Sequence, residues 1–352
     1  MPFCTAKCPY CDFYSQRGTV EDYDRYLTAV FRAIDGFSAK FEADTIYFGG
    51  GTPVLLGAAR LISLLNAVKR RFGENPLEVT IEANPCAVDE SFLHQLAEGG
   101  FNRISFGVQS MNDGTLHTLG RRHSAQRAKE AILAANRAGF EHISADLMLA
   151  VPGQRIEEID ASIKALAALP IDHLSAYLLK IEQGTFFAKH YAEPDEDFAA
   201  DCYLKMVESC RQHGFFQYEI SNFSKNDRAQ SLHNLKYWRC QPYLGIGPAA
   251  HSFYNGNRYY FPRNFTTFTT TKNPWDIAVY DGSGGSQNER LMLGLRLSEG
   301  IRFASFSTDF VEQVRRKAVP LHKAGLLKID NSGIWLTTQG LLLSNAVIAA
   351  LI

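Results

Sequence analysis

Cys4, Cys8 and Cys11 crowd into eight positions near the start of the chain, while Cys86, Cys202, Cys210 and Cys240 are scattered. An odd total of seven cysteines with one tight group points to metal ligation, not to a disulfide framework. Three thiolates this close can hold three irons of a [4Fe-4S] cluster. With no fourth Cys nearby, the last iron is left without a protein ligand and open to a substrate or cofactor. The competing readings are a zinc site, which as a structural site would want four protein ligands and finds no His within the group, and three unconnected thiols.

A second set of residues lies further on. Gly49, Gly50 and Gly51, followed by Thr52, let backbone approach a ligand closely and leave N–H groups facing it. Glu82 in VTIEANP, Gln109 in SFGVQS and Asp146 in ISADLML each close a β-branched or aromatic run. These runs (TIYF, LEVTIEAN, RISFGVQS, ISADLML, HLSAYLL) alternate with helical patterns (DYDRYLTAVFRAI, AARLISLLNAVKRRF, SFLHQLAEGG, SAQRAKEAILAANRAG, IEEIDASIKALAAL) from about residue 22 to 215. Such alternation is the pattern of βα units around a parallel sheet. Binding groups in these architectures sit at the C-terminal ends of strands, so all four segments are expected to face one mouth.

Beyond about residue 215 the alternation gives way to SLHNLKYW, GIGPAAHSF and NGNRYYFPRNF, and DGSGGSQNE reads as a linker before a small α+β tail. The expected division is a partial barrel over 1–215, a barrel-closing region over 216–285 and a small C-terminal domain over 286–352. Arg258, Tyr259, Tyr260, Phe261 and Arg263 interleave base and aromatic as an RNA-stacking surface would. Yet 36 Lys+Arg against 37 Asp+Glu offers no general pull toward nucleic acid, so packing is the expectation there. No apolar run is long enough to cross a bilayer, and Met1 is followed by the Cys motif and not by a secretory segment, so a cytoplasmic protein is expected.

PFCTAKCPYCDF, with Tyr10 beside the third Cys, and YFGGGTP resemble the cluster loop and glycine motif of the radical S-adenosylmethionine (SAM) superfamily. Together with EANP, GVQSMND, LGRRHSAQRA, DLMLAVPGQ, SLHNLKYW and GIGPAAHSF, in this order, they resemble the HemW family of heme chaperones, relatives of oxygen-independent coproporphyrinogen III oxidase. The resemblance implies an α/β fold: a partial (β/α)6 barrel with a small C-terminal α+β domain. It implies a [4Fe-4S] cluster on Cys4, Cys8 and Cys11, and SAM held by Gly49, Gly50, Gly51, Thr52, Glu82, Gln109, Arg121 and Asp146. It further implies heme at His233, with Tyr237 and Trp238 offering apolar faces and His251 the next candidate ligand. Partners would be heme and a heme-accepting respiratory protein, with peripheral contact to membrane-bound partners and no nucleic acid.

Two departures stand out. The oxidases carry a further Cys two residues after the third, where this chain has Phe13, which favours chaperone over radical decarboxylation; a tRNA-modifying enzyme is the third reading. The family also has a strand ahead of the first Cys, whereas this chain starts Met1-Pro2-Phe3, so the first barrel strand is expected to be absent from this sequence.

Overall fold

The computed structural model describes residues 1–39 and 41–352. Helix α1 (Val20–Gly36) opens with a capping box in which the Thr19 side chain and Asp22 satisfy each other's backbone N–H groups. Strands β1 (Thr45–Phe48), β2 (Glu78–Ala83), β3 (Arg103–Gln109), β4 (His142–Leu149) and β5 (His173–Leu178) then pair in parallel in chain order. Between them run α2 (Ala58–Phe72), α3 (Glu90–Glu98), α4 (Asp113–Thr118), α5 (Ala125–Ala138) and α6 (Ile156–Ala167). After α7 (Phe187–His190) and α8 (Glu196–Gln212), the short strands β6 (Phe216–Glu219) and β7 (Asn222–Ser224) extend the sheet antiparallel, in the order β1-β2-β3-β4-β5-β7-β6. The sheet curls into a half-barrel.

Strand periodicity divides the side chains by chemistry. Ile46, Phe48, Val79, Ile81, Ile104, Phe106, Ala145 and Leu174 are buried beneath the helices. Helix α5 buries Ala128, Ala131, Ile132, Ala135 and Ala138, small residues at helical spacing that let it lie close to its neighbours. The alternate strand positions turn to the concave side and are polar: Glu78, Thr80, Glu82, Arg103, Ser105, Ser144, Asp146, His173 and Ser175. Part of this polar face is buried against the chain itself, as at Glu78, Arg103, Ser144 and His173, while Glu82, Ser105 and Asp146 are only half-buried.

The described sheet has five parallel strands and an antiparallel pair, and β1 is its edge. Residues 1–3 run beside the glycine segment, where the Gly51 N–H donates to Met1 O and the Thr52 N–H to Phe3 O, each at 2.7 Å.

The floor of the concavity is an ion pair. Arg103 and Glu78, only 2% and 3% exposed, place Arg103 Nε 3.1 Å from Glu78 Oε2, a charge contact in which the N–H is not aimed at the oxygen. Arg103 Nη2 donates to the carbonyls of Ala229 (2.7 Å) and Gln230 (3.1 Å). Glu78 in turn accepts from the N–H groups of Leu232 (2.8 Å) and His233 (3.0 Å), which begin helix α9 (Leu232–Trp238). The two charges therefore fix where α9 stands on the open side of the half-barrel, and His233 lies in this helix.

Strands β8 (His251–Tyr254), β9 (Asn257–Tyr260) and β10 (Val279–Ser283) form a second, antiparallel sheet, with α10 (Phe265–Thr270) between β9 and β10. The stretch expected as a linker is instead ordered structure. Asp281–Ser283 end β10, and Ser286 caps α11 (Gln287–Gly294), whose Glu289 pairs with Arg258. Arg258 also lies over the Phe253 ring (4.8 Å) and Phe261 is buried, so these two members of the base-aromatic run pack internally, while Tyr259 and Tyr260 are half-buried and Arg263 is exposed. The tail carries β11 (Ile301–Arg302), α12 (Thr308–Lys323), β12 (Leu327–Ile329), β13 (Gly333–Leu336), α13 (Thr338–Leu342) and α14 (Ser344–Leu351), with its three strands in one sheet. Among the described residues no helix is long and apolar enough to cross a membrane.

Truncating Glu78 would strand the buried Arg103 charge and release the start of α9. Urea unfolding should show Glu78→Ala losing about 3–5 kcal/mol, and the paired Glu78→Met/Arg103→Met variant losing less; equal losses would mean that the pair is not what holds the floor.

Candidate functional site

The Cys loop is pinned at both ends. The Cys4 N–H donates to Gln16 O (3.0 Å), the Cys11 N–H to Cys8 O (3.1 Å), and the Phe187 N–H reaches back to Pro9 O (3.1 Å). Tyr10 packs edge-on against Phe187. All three thiols are free and half-buried, and each sulfur has a hydrogen-bonding partner. Cys4 Sγ lies 3.6 Å from Thr52 Oγ1, Cys8 Sγ lies 3.5 Å from Arg121 Nη1, and Cys11 is met by the backbone N–H of Phe13. Burial pushes the Cys11 thiol up, and the neighbouring Cys8 and Cys4 add to the rise. Among the described residues no three His, Cys, Asp or Glu side chains gather where a single metal ion could sit. A cluster asks for something different: thiolates set apart for separate irons, with donors and a cation to carry their charge. The loop with Arg121 beside it meets that requirement.

The glycine segment forms the adjoining wall. Gly50 holds φ +115°, open to glycine, and a Cβ on Gly51 would stand 2.5 Å from Phe3 O, so the chain can run this close to residues 1–3 only without side chains. The Gly50 N–H donates to Glu82 Oε2 (2.9 Å), and Glu82 Oε1 accepts from the Tyr47 hydroxyl (2.6 Å). Gly49 sits against the same carboxylate.

Gln109 ends β3 with φ +67° at a register shift between Phe106 and Gln109, and Ala150 follows β4 with φ +56°. Two non-glycine residues in the left-handed region at adjacent strand ends mark backbone held in place by its surroundings, as at binding sites. Asp146 accepts from Ser105 Oγ (2.9 Å). Its carboxyl is pushed up to about 7 by burial and, further, by the nearby Glu82 carboxylate. Glu82 is also raised by burial. Arg121 Nη2 donates to Asn84 Oδ1 and to Gly107 O (2.8 Å), and Nη1 reaches the Tyr10 hydroxyl (3.4 Å) as well as Cys8. Cys4, Cys8, Cys11, Gly49, Gly50, Gly51, Thr52, Glu82, Gln109, Arg121 and Asp146 thus lie at the strand C-termini, around one mouth.

His233 stands on the edge strand side. Its ring stacks on Tyr47 (4.9 Å), Nδ1 meets Thr45 Oγ1 (3.0 Å) and Nε2 meets the Tyr237 hydroxyl (2.9 Å). Burial lowers its pKa to about 4, so the ring is neutral at ordinary pH. Tyr47 joins it to the mouth through Glu82. Trp238 turns the other way, packing with Tyr218, Leu235 and Leu297, and so offers no face beside His233. His251 is exposed and stacked on Tyr260 (5.5 Å). Phe13 is 64% exposed. Two residues at the site were not singled out from the sequence: Tyr47, which strand alternation would have turned inward, and Asn84, which lies inside the EANP segment.

A half-barrel of parallel strands with three thiols at its C-terminal mouth defines a class, and the sequence profile of the Radical SAM superfamily matches residues 1–166. The profile of the HemN C-terminal domain matches residues 287–343. The fold is shared with coproporphyrinogen III oxidase (HemN) from Escherichia coli, at a TM-score of 0.84 and 20% identity, covering 100% of this chain and 88% of that one. The heme chaperone HemW of Mycobacterium tuberculosis is 34% identical over 369 residues, spanning 100% of this chain and 93% of that protein. The HemW of Bacillus subtilis is 32% identical over 380 residues, spanning 99% and 97%. The mitochondrial radical S-adenosyl methionine domain-containing protein 1 of Bos taurus is 32% identical over 381 residues, spanning 100% and 86%. The chain belongs to the HemW family of heme chaperones.

An aspartate held near neutrality binds a proton in the fold that it releases when unfolded. Its contribution therefore diminishes as pH rises from about 4, its ordinary value, to about 7. Asp146→Asn should be more stable than the parent by on the order of 4 kcal/mol near pH 8, with the advantage vanishing toward pH 4. A pH-independent difference in thermal unfolding would contradict the assignment.

Proposed function

We propose that this chain binds heme and hands it to a heme-dependent respiratory protein, with a [4Fe-4S] cluster and SAM held at the mouth. Cys4, Cys8 and Cys11 would ligate the cluster, whose remaining iron supplies a coordination position for SAM's amino and carboxylate groups. The chain's own groups do the rest. Gly49, Gly50 and Gly51 bring backbone to the methionyl part, with Thr52 beside them. Glu82 and Asp146 accept from ribose hydroxyls or the amino group, and Arg121 and Gln109 donate to the carboxylate or adenosyl side. A positive amino group beside Asp146 and Glu82 would relieve the repulsion that raises Asp146.

The observation that carries the heme reading is the seating of His233. A neutral imidazole whose Nδ1 is fixed by Thr45 is oriented as ligating histidines are by a partner on the other nitrogen. Its Nε2 faces the half-exposed Tyr237 hydroxyl, and iron would take the place of that hydroxyl. Because heme and cluster use different residues, either can be removed without the other. Phe13, exposed where the oxidases carry a further Cys, supports chaperone over radical decarboxylation. Delivery to a membrane-bound acceptor would be by peripheral contact.

Heme added to the purified protein should give an absorbance spectrum that changes on His233→Ala and is largely intact in Cys4→Ala. Anaerobic incubation of the reconstituted protein with coproporphyrinogen III, SAM and a reductant should give no protoporphyrinogen. Turnover at enzymatic rates would overturn the chaperone reading, and an unchanged spectrum in His233→Ala would move the ligand elsewhere, with His251 the next to test.

A further inference from the structure

Asn84 follows β2 directly, between the strand that carries Glu82 and the Pro85 turn, and is half-buried. Its side-chain Nδ2 donates to Thr52 Oγ1 (3.0 Å), and its Oδ1 accepts from Arg121 Nη2. Thr52 Oγ1 lies 3.6 Å from Cys4 Sγ, and Arg121 Nη1 lies 3.5 Å from Cys8 Sγ. One amide therefore stands at the centre of an unbroken hydrogen-bonded path between the sulfurs of Cys4 and Cys8.

Chemistry fixes the direction of every bond along it. Arginine can only donate, so the Asn84 oxygen must face Arg121 and its nitrogen must face Thr52. The Thr52 oxygen, already accepting from that nitrogen, keeps its own O–H for Cys4, and a thiolate sulfur can only accept. Thr52 is 4% exposed, so water is poorly placed to stand in for Asn84. The donor on Cys11, the Phe13 N–H, lies outside this path.

We propose that Asn84 is a positioning residue that aims both side-chain donors at the Cys4 and Cys8 sulfurs and thereby sets the reduction potential of the cluster. This rests on the reading that Cys4, Cys8 and Cys11 hold the cluster. Hydrogen bonds to cysteine sulfur draw off electron density and favour the reduced, more negative state, so losing them makes the potential more negative. Asn84→Leu removes the centre of the path at similar size. Asn84→Asp keeps an acceptor for Arg121 but also accepts from the Thr52 hydroxyl, turning it away from Cys4. Thr52→Val removes the Cys4 donor alone, and Thr52→Ser keeps it.

The test is a redox titration, followed by electron paramagnetic resonance, of the anaerobically reconstituted full chain without SAM, with iron and sulfide measured on the same samples. The midpoint should move to more negative potential in Asn84→Leu and Asn84→Asp, less far in Thr52→Val, and not at all in Thr52→Ser. In a Thr52→Val background the Asn84→Asp shift should shrink, because the hydroxyl it redirects is gone; a purely structural or purely charge effect would leave that shift unchanged. A parent-like midpoint in fully loaded Asn84→Leu, or, where that variant does not fold, in Asn84→Asp, overturns the proposal. Full iron in Cys8→Ala would instead overturn the ligand reading beneath it.

Discussion

Arg121 is the group on which the mouth depends. Its guanidinium cannot lose its proton at any ordinary pH, and from its place after α4 it reaches the Cys8 sulfur, the Tyr10 hydroxyl, the Asn84 side chain and the Gly107 carbonyl. Those partners come from the Cys loop and from the ends of the paired strands β2 and β3, so the guanidinium ties the loop to the sheet. Hydrogen bonds to a charged donor are worth about 1.5–3 kcal/mol each where water is scarce, enough together to set the loop beside the packing that Phe3 and Tyr10 supply. Glycine at 107 leaves room for this, since a Cβ there would stand 3.2 Å from Arg121 Nη2 and crowd it. The Cys8 sulfur is tied to the strand ends by this one cation.

A second charge does comparable work at the opposite end of the concavity. Glu78 and Arg103 together hold residues 229–233, so that α9 and, beyond it, Tyr243 and the β8–β9 sheet border the open side of the half-barrel. Tyr47 connects the two ends, since its ring lies on His233 and its hydroxyl on Glu82. A change at His233 is thus one side chain away from the Glu82 carboxylate at the mouth.

Hydrophobic periodicity made the half-barrel legible: TIYF, VTIEA, RISFGVQ and ISADLML fall on β1 to β4, and AARLISLLNAVKRRF is α2 residue for residue. The three cysteines, Glu82 and Gln109 near the ends of β2 and β3, and Asp146 within β4 were visible because their types are out of place in such runs. What local pattern could not show is contact across distance. Nothing near Asn84 in the chain announces Thr52 and Arg121 as its partners. The Asp281–Glu289 stretch looked like a linker because Gly and Ser dominate it, yet β10 is completed by pairing with β9 and α11 by the Arg258–Glu289 pair, both supplied from elsewhere in the sequence. Trp238, adjacent to Tyr237, faces the core because helical geometry turns neighbours apart by about 100°.

The proposed site would place SAM against Arg121, Glu82 and Asp146, beside a cluster held by Cys4, Cys8 and Cys11. Its most direct test is the electron paramagnetic resonance spectrum of the reduced, reconstituted protein before and after SAM is added. The account predicts a change of the cluster signal on adding SAM that is weakened in Arg121→Ala and in Asp146→Asn. A cluster signal indifferent to saturating SAM would contradict it.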